Sequence, residues 1–300
     1  MNLPSWPERP RAAHKGTTGR VVIVAGSPGM SGAAVLAARG ALRAGAGLVT
    51  VACPESLLAT VDGAVTCALT RPLPERDGRL GPWSRDALVA ACEGADAIAV
   101  GPGLGANRAT AHLLRAWLPT LRAPLVLDAD GLNAFAGRRD RLTALAAPVV
   151  LTPHPGEAAR LLASSSGAIQ ADRPAAARAL AQDLPGAALL KGAGTLVSDG
   201  VRLFENATGN SGMASGGMGD VLTGVIATLL AQGLAPFEAA CLGALVHGRA
   251  GDIAASRTGR HALLATDLLG ALGEAIRAAG ETPSGDHRAE RETPDGEEQR

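Results

Sequence analysis

The chain has 300 residues, 47% of them hydrophobic and 19% charged, enough to bury a large core as one big domain or two small ones. Its formal net charge is zero and aromatics make up 2%, without a tyrosine, which argues against nucleic acid as the main partner because phosphate tracking and base stacking both lack their residues. Cys53, Cys67, Cys92 and Cys241 lack CxxC spacing and clustered histidines, and neither an h-region nor a membrane-length apolar run occurs. The chain therefore reads as cytosolic, with free thiols and no membrane partner.

A Pro- and Arg-rich lead over residues 1–13 comes first. The β-branched run Val21 to Ala25 then predicts a strand, the GSPGMSG loop a turn, Ser31 to Ala44 a helix, and Gly47 to Ala52 a second strand. Strands this apolar on both faces imply a parallel sheet covered by helices. Gly26, Gly29 and Gly32 are spaced GxxGxxG rather than GxGxxG, and no acidic residue closes the second strand, so a dinucleotide-binding reading is weak.

Residues from Pro72 to Pro82 read as a surface loop. Beyond it, a helix from Ser84 leads to the strand Asp96 to Val100 and its GPGLG end. A helix over Asn107 to Leu121 precedes the strand Leu125 to Leu127, which runs into DADGLN, and the strand Val149 to Leu151 runs into TPHPGE. Leu189 and Leu190 lead into KGAGT, and Asp199-Gly200 between short apolar runs predicts a two-residue hairpin link. Helices are expected from Asp220, from near Pro236 and from Thr266, with Gly280 ending the last. Residues 14–280 read as a single domain, and the polar stretch 281–300 reads as a disordered tail.

Each parallel strand ends in a polar or glycine-rich loop, so these loops should share one crevice at the carboxyl edge of the sheet. The richest is NATGNSGMASGGMGDVLTG, Asn206 to Gly224, in which glycines precede a helix start. Such an end binds anions, because the first N–H groups of a helix have no internal acceptor. Asp220 there is either a simple N-cap or a base beside an anion hole. Lys191 is either a solvated strand end or a ligand to phosphate. Asp128 and Asp130 cap a turn or act, and His154 and Glu157 leave the same choice open. No GxxxxGK[ST] occurs, so nucleotide binding would not be of P-loop type.

In their order and combination, six motifs resemble the NAD(P)H-hydrate dehydratases of the ribokinase-like superfamily. They are HKGTTGRVVIVAGSPGMSGAA from His14, VGPGLG from Val100, LDADGLN from Leu127, LTPHPGEAARLL from Leu151, LLKGAGT from Leu189 and GNSGMASGGMGDVLTGVIATLLAQG from Gly209. The resemblance implies an α/β ribokinase-like fold, with a mostly parallel central sheet flanked by helices on both faces. It also implies that a nucleotide phosphorylates the hydroxyl of the hydrated nicotinamide of NADHX or NADPHX. Phosphate then leaves, and NADH or NADPH is restored. ADP is the implied co-substrate, ATP the alternative, with Mg2+. Lys191, Gly192, Ala193, Gly194, Thr195 and Gly219 would hold the nucleotide, and Ala33, Gly103, His154 and Asp220 the hydrated cofactor. Asp220 would be the base, and Gly217, Met218 and Gly219 the anion hole; no metal ligand is implied. Met30-Ser31 stands where members often carry Tyr-Thr. With about a dozen residues before His14, the expectation is action on the S epimer with a separate epimerase as partner, and the family suggests a homotetramer. Two rival readings are a small-alcohol kinase of the same superfamily, of hydroxymethylpyrimidine or hydroxyethylthiazole type, and a non-catalytic nucleotide sensor.

Overall fold

The computed structural model describes residues 4–280; the predicted tail from Glu281 onward lies outside the described residues. Nine strands form one sheet: β1 (Arg20–Val24), β2 (Leu48–Pro54), β3 (Leu69–Leu73), β4 (Ala97–Val100), β5 (Leu125–Leu127), β6 (Val149–Leu151), β7 (Gly186–Leu190), β8 (Thr195–Ser198) and β9 (Leu203–Asn206). Their spatial order is β3-β2-β1-β4-β5-β6-β7-β8-β9, parallel from β3 to β7 and antiparallel at β8 and β9. The helices are α1 (Ser31–Arg43), α2 (Leu58–Ala64), α3 (Arg85–Ala91), α4 (Arg108–Trp117), α5 (Asp130–Asn133) and α6 (Asp140–Thr143). After them come α7 (Pro155–Leu161), α8 (Ser166–Ala171), α9 (Arg173–Ala181), α10 (Met218–Ala231), α11 (Pro236–Thr258) and α12 (Ala265–Ala278).

Strand β1 shows why the sequence folds this way. Side chains alternate across a pleated strand, so a run apolar at every position serves two cores. Val21 and Ile23 enter the layer built by α1, α10, α11 and α12, while Val22 and Val24 enter the layer built by α3, α4, α7 and α9. Helix α10 is buried continuously from Val221 to Leu230, because it lies between the sheet and its neighbouring helices. Two glycines set its distance from α1. A Cβ on Gly40 would stand 2.5 Å from the Val221 carbonyl oxygen, and one on Gly224 would stand 2.0 Å from that of Ala37. Only glycine lets these two backbones meet.

Three sequence expectations need correction. The stretch before the charged loop holds α2 and the edge strand β3, which the sequence hides because β3 carries Pro72 and leaves most of its residues half-buried or exposed. The link after β8 is four residues rather than two, since Ser198 pairs with Leu203. The Asp199 carboxylate accepts from the N–H groups of Val201 and Arg202 at 3.0 and 2.7 Å, which closes the wider turn and leaves Val201 86% exposed. Helix α4 stops at Trp117, and a short 3-10 turn, Leu118–Thr120, takes the rest of the predicted span.

Candidate active site

The strand order reverses direction at β1, which has β2 on one side and β4 on the other. Such a switch point opens a crevice beyond the carboxyl ends of the strands. The loops after β1 and β4 meet there. Gly26 N–H donates to the Pro102 carbonyl at 2.8 Å, and the Ser27 hydroxyl donates to the Gly103 carbonyl at 2.8 Å. A Cβ on Gly103, where φ is +63°, would stand 3.0 Å from the Ala33 side chain, so Gly103 and Ala33 are brought together. Met30, 40% exposed, borders the same spot beside Gly103 and Gly105.

Behind the crevice lies a chain of buried charge. Asp128, at the end of β5, is 1% exposed. One of its oxygens takes a hydrogen bond from Lys191 Nζ at 2.7 Å, and the other takes one from the Thr223 hydroxyl of α10 at 2.8 Å. Glu157 stands 4.0 Å from the same ammonium. Burial alone would lower the Lys191 pKa, but Asp128 and Glu157 override it and hold the ammonium above its ordinary value. Burial pushes the Glu157 carboxyl up, against the pull of Lys191.

Glu157 also closes a capping box on α7. It accepts from His154 N–H at 2.8 Å, while His154 Nδ1 accepts from Gly156 N–H at 3.0 Å. With Nδ1 accepting, Nε2 carries the ring proton and faces Glu157 at 3.3 Å. Burial, then Lys191 and Arg160, lower the His154 pKa, so the imidazole is neutral at physiological pH, with half of its side chain open to solvent.

The link between Asp128 and Asp130 is strained. Ala129 has φ 49° and ψ −118°, a region that L-residues avoid. It turns Asp130 toward the β4 loop, where Asp130 accepts from Gly105 N–H at 2.8 Å. A cavity of about 340 Å³ opens beside Gly105, Asn107, Asp130 and Asn133.

Facing this chain is the start of α10. Gly217 has φ +88° and caps the helix without a side chain, so Asp220 is not its N-cap. The first helical bond runs from Val221 N–H to the Gly217 carbonyl at 3.2 Å, which leaves the N–H groups of Met218, Gly219 and Asp220 without an intrahelical acceptor. A Cβ on Gly219 would come 3.2 Å from Lys191 Nζ and 3.7 Å from an Asp128 oxygen, so this bare turn lies directly against the ion pair. Burial first, and Asp128 second, raise the Asp220 pKa to about 6 against the opposing pull of Lys191.

The KGAGT loop follows β7. Gly192 and Gly194 have φ +142° and +61°, and the Thr195 hydroxyl donates to the Gly192 carbonyl at 2.9 Å. Ala193 sits between the two glycines. Two supports of these loops escaped the sequence reading. The guanidinium of Arg173 in α9 donates to the carbonyls of Leu190, Lys191 and Gly194 at 3.2 to 3.4 Å, tying both ends of the loop. Helix α11 holds the glycine-rich stretch: Asp252 accepts from Gly209 N–H at 2.8 Å and from the Asn210 amide at 2.9 Å, and His247 bonds the Met218 carbonyl at 2.9 Å. The available signal was His247 and Asp252 in the middle of α11, interleaved with Gly248 and Gly251. A Cβ on either glycine would strike the loop, at Thr208 or Met213.

A mostly parallel open sheet, with a left-handed glycine at a helix start set against a buried Lys–Asp pair, defines a ribokinase-like α/β protein. A hydroxyethylthiazole kinase from Pyrococcus horikoshii has the same fold at 20% identity and TM-score 0.58, over 87% of this chain and 91% of that one. The sequence profile described as NAD(P)H-hydrate dehydratase matches residues 21–273, and the chain belongs to that family. It is 48% identical over 276 residues to the bifunctional NAD(P)H-hydrate repair enzyme of Moorella thermoacetica, which covers 90% of this chain and 52% of the relative. The Escherichia coli bifunctional repair enzyme is 42% identical, over 90% of this chain and 50% of its own length. The chain thus spans about half the length of the curated relatives it matches. An ADP/ATP-dependent NAD(P)H-hydrate dehydratase from Bacillus subtilis, crystallised with ATP and Mg2+, superposes with TM-score 0.78 at 30% identity, over 93% of this chain and 99% of that one.

Proposed function

We propose that this chain dehydrates hydrated NADH or NADPH at the expense of a nucleotide, restoring the reduced cofactor. The observation that carries this reading is the set of unpaired N–H groups at Met218 to Asp220 beside the Asp220 carboxylate and the Lys191–Asp128 pair, in a chain of the dehydratase family.

In this reading the KGAGT loop, Lys191 to Thr195, holds the nucleotide with Gly219, through backbone N–H groups exposed by its left-handed glycines. Ala33, Gly103 and His154 line the side that takes the hydrated ring. Asp220 lies between and removes the proton of the ring hydroxyl as that oxygen attacks the terminal phosphorus. The nucleotide leaves one phosphate shorter, as AMP when it enters as ADP. The amides of Gly217 to Gly219 and the ammonium of Lys191 stabilise the charge on the transferred group. The ring carbon–oxygen bond then breaks, phosphate carries off the oxygen, the adjacent ring carbon releases a proton, and the ring double bond returns. This overall loss of water makes the enzyme a lyase.

Among the described residues no group of three or more His, Cys, Asp or Glu side chains forms a ready-made metal site. Magnesium commonly binds through one or two carboxylates plus substrate phosphates, and Asp220 supplies one at the head of α10, while both oxygens of Asp128 are taken by Lys191 and Thr223, so the residues fit an ion brought by the nucleotide. Bound there, it would neutralise phosphate charge. Action on the S epimer beside an epimerase activity for the other, homotetrameric assembly and a cytosolic location belong to the same reading. The names of the bifunctional relatives support the pairing of activities. Among the described residues no helix is long and apolar enough to cross a membrane.

The test follows absorbance at the reduced-nicotinamide band with hydrated NADH, magnesium and either ADP or ATP. A rise is expected. A flat trace with both nucleotides sinks the reading, and a stable phosphoester product in its place identifies a small-alcohol kinase.

A further inference from the structure

His247 has no part in the reaction just described and yet touches the backbone of the helix start at Met218. It projects from the middle of α11, 7% exposed, and its Nε2 lies 2.9 Å from the carbonyl oxygen of Met218, itself a buried residue. A carbonyl only accepts, so Nε2 carries the proton and donates. The approach is built into the sequence: Gly243, one turn earlier in α11, has no Cβ to meet the Ile226 side chain of α10, which one would reach at 2.7 Å.

The Met218 carbonyl and the Gly219 N–H belong to one planar peptide unit. Drawing charge onto the carbonyl oxygen makes the N–H of the same unit a stronger donor, as in any chain of hydrogen bonds. That N–H has no intrahelical acceptor, and the bare Gly219 faces Lys191 Nζ and Asp128. We propose that His247 is a positioning residue for the anion hole: its Nε2–H fixes and polarises the Met218–Gly219 peptide, so that the Gly219 N–H is aimed and strengthened toward the transferred phosphoryl group. The proposal rests on the reading that this turn binds phosphoryl oxygens. Burial, followed by an opposing contribution from the Met218 bond and then Lys191, leaves the imidazole pKa lowered to about 4, so the ring is neutral through the physiological range and its donation does not change with pH there.

The test compares H247Q, H247N and H247L in the full chain. A glutamine amide nitrogen reaches the place of Nε2, an asparagine amide stops short, and leucine keeps the volume without a donor. Removing a whole oxyanion donor costs about 10²–10³ in kcat, and weakening one costs less, so H247L and H247N should lose roughly tenfold in kcat with little change in nucleotide KM. H247Q should stay within about twofold of wild type. Independently of turnover, the Gly219 amide proton should move upfield in H247L and H247N and hold its place in H247Q. Inorganic phosphate, titrated by following that amide, should bind several-fold more weakly to the first two. Equal behaviour of H247Q and H247N, or a kcat for H247L within twofold of wild type, overturns the proposal. If wild type shows no repair activity, the proposed function fails, while the amide shift and the phosphate titration still decide the role of His247. Should H247L fail to fold, the Gln and Asn pair decides alone.

Discussion

The two edges of the sheet differ in a way that cavity size alone would misread. The larger cavity, about 590 Å³, lies at the amino edge, between the lead from Trp6 and the ends of α1, α10 and α12. Its charged rim, Arg9, Arg43 and Arg277, is exposed, and Arg43 and Arg277 sit in the last turns of α1 and α12, where a cation suits the helix dipole. The cavity beside Gly105 and Asp130 at the carboxyl edge is smaller, about 340 Å³, but that edge holds a 1% exposed aspartate against a lysine, a carboxyl raised to about 6 and an alanine at φ 49°. Buried charge and backbone strain persist only where something over-determines them, so they mark the working edge better than volume does.

The largest expected effect breaks the carboxyl edge at its carboxylate. Asp220→Asn should lower turnover by about two to four orders of magnitude while nucleotide affinity stays near wild type. Unchanged turnover in the repair assay would remove Asp220 from its role. In wild type, kcat/KM should fall as pH drops through about 6, where Asp220 takes up its proton. Stability should follow the opposite sign. The folded pKa lies above the ordinary 3.8, so the contribution of the neutral carboxyl is present below that value and lost as pH rises through about 6. The Tm advantage of D220N over wild type should therefore open across that window, and an equal Tm difference at pH 4 and pH 7.5 would contradict it.

Next comes Asp128→Asn, which leaves Lys191 with Glu157 at 4.0 Å and the more distant field of Asp220. Breaking a buried pair costs about 3–5 kcal/mol, and with Lys191 22% exposed roughly 2 kcal/mol is expected, measurable by urea denaturation. Ala129→Gly is a sharper and smaller probe. Glycine in an ordinary position loses about 1 kcal/mol, but relief of the strained φ should offset that or raise stability. A loss of 1 kcal/mol would show that the strain is not stored there. At the amino edge, Arg277→Ala should leave kcat unchanged and shift stability by less than about 0.5 kcal/mol. A tenfold loss of activity would erase the contrast between the edges.

The sequence made these edges legible to different degrees. The parallel strands were readable where β-branched or leucine runs are buried on both faces, as at Val21–Val24 and Val149–Leu151, because burial on two sides leaves no alternation to interrupt. Edge strand β3 was not, since half-exposed strands carry mixed residues and Pro72 breaks the pattern. At the candidate site, the glycine loops and Asp220 stood out as local motifs. The partnership of Lys191 with Asp128 did not, because it joins positions 63 residues apart, and neither did the props Arg173, His247 and Asp252. Each of these is a single polar residue whose meaning comes only from the carbonyl or amide that folding sets before it.

The glycine contact between α1 and α10 has a mechanical consequence. Where Gly40 meets Val221 and Gly224 meets Ala37, backbone touches backbone, and no side-chain rotamer lies between to yield. The heads of these two helices carry Ala33 on one and Gly217 to Asp220 on the other, so the two surfaces travel as one stiff plate. The spacing across the plate is therefore fixed by backbone alone, while the KGAGT loop on the far side is tied by side-chain bonds, the three of 3.2 to 3.4 Å that Arg173 donates.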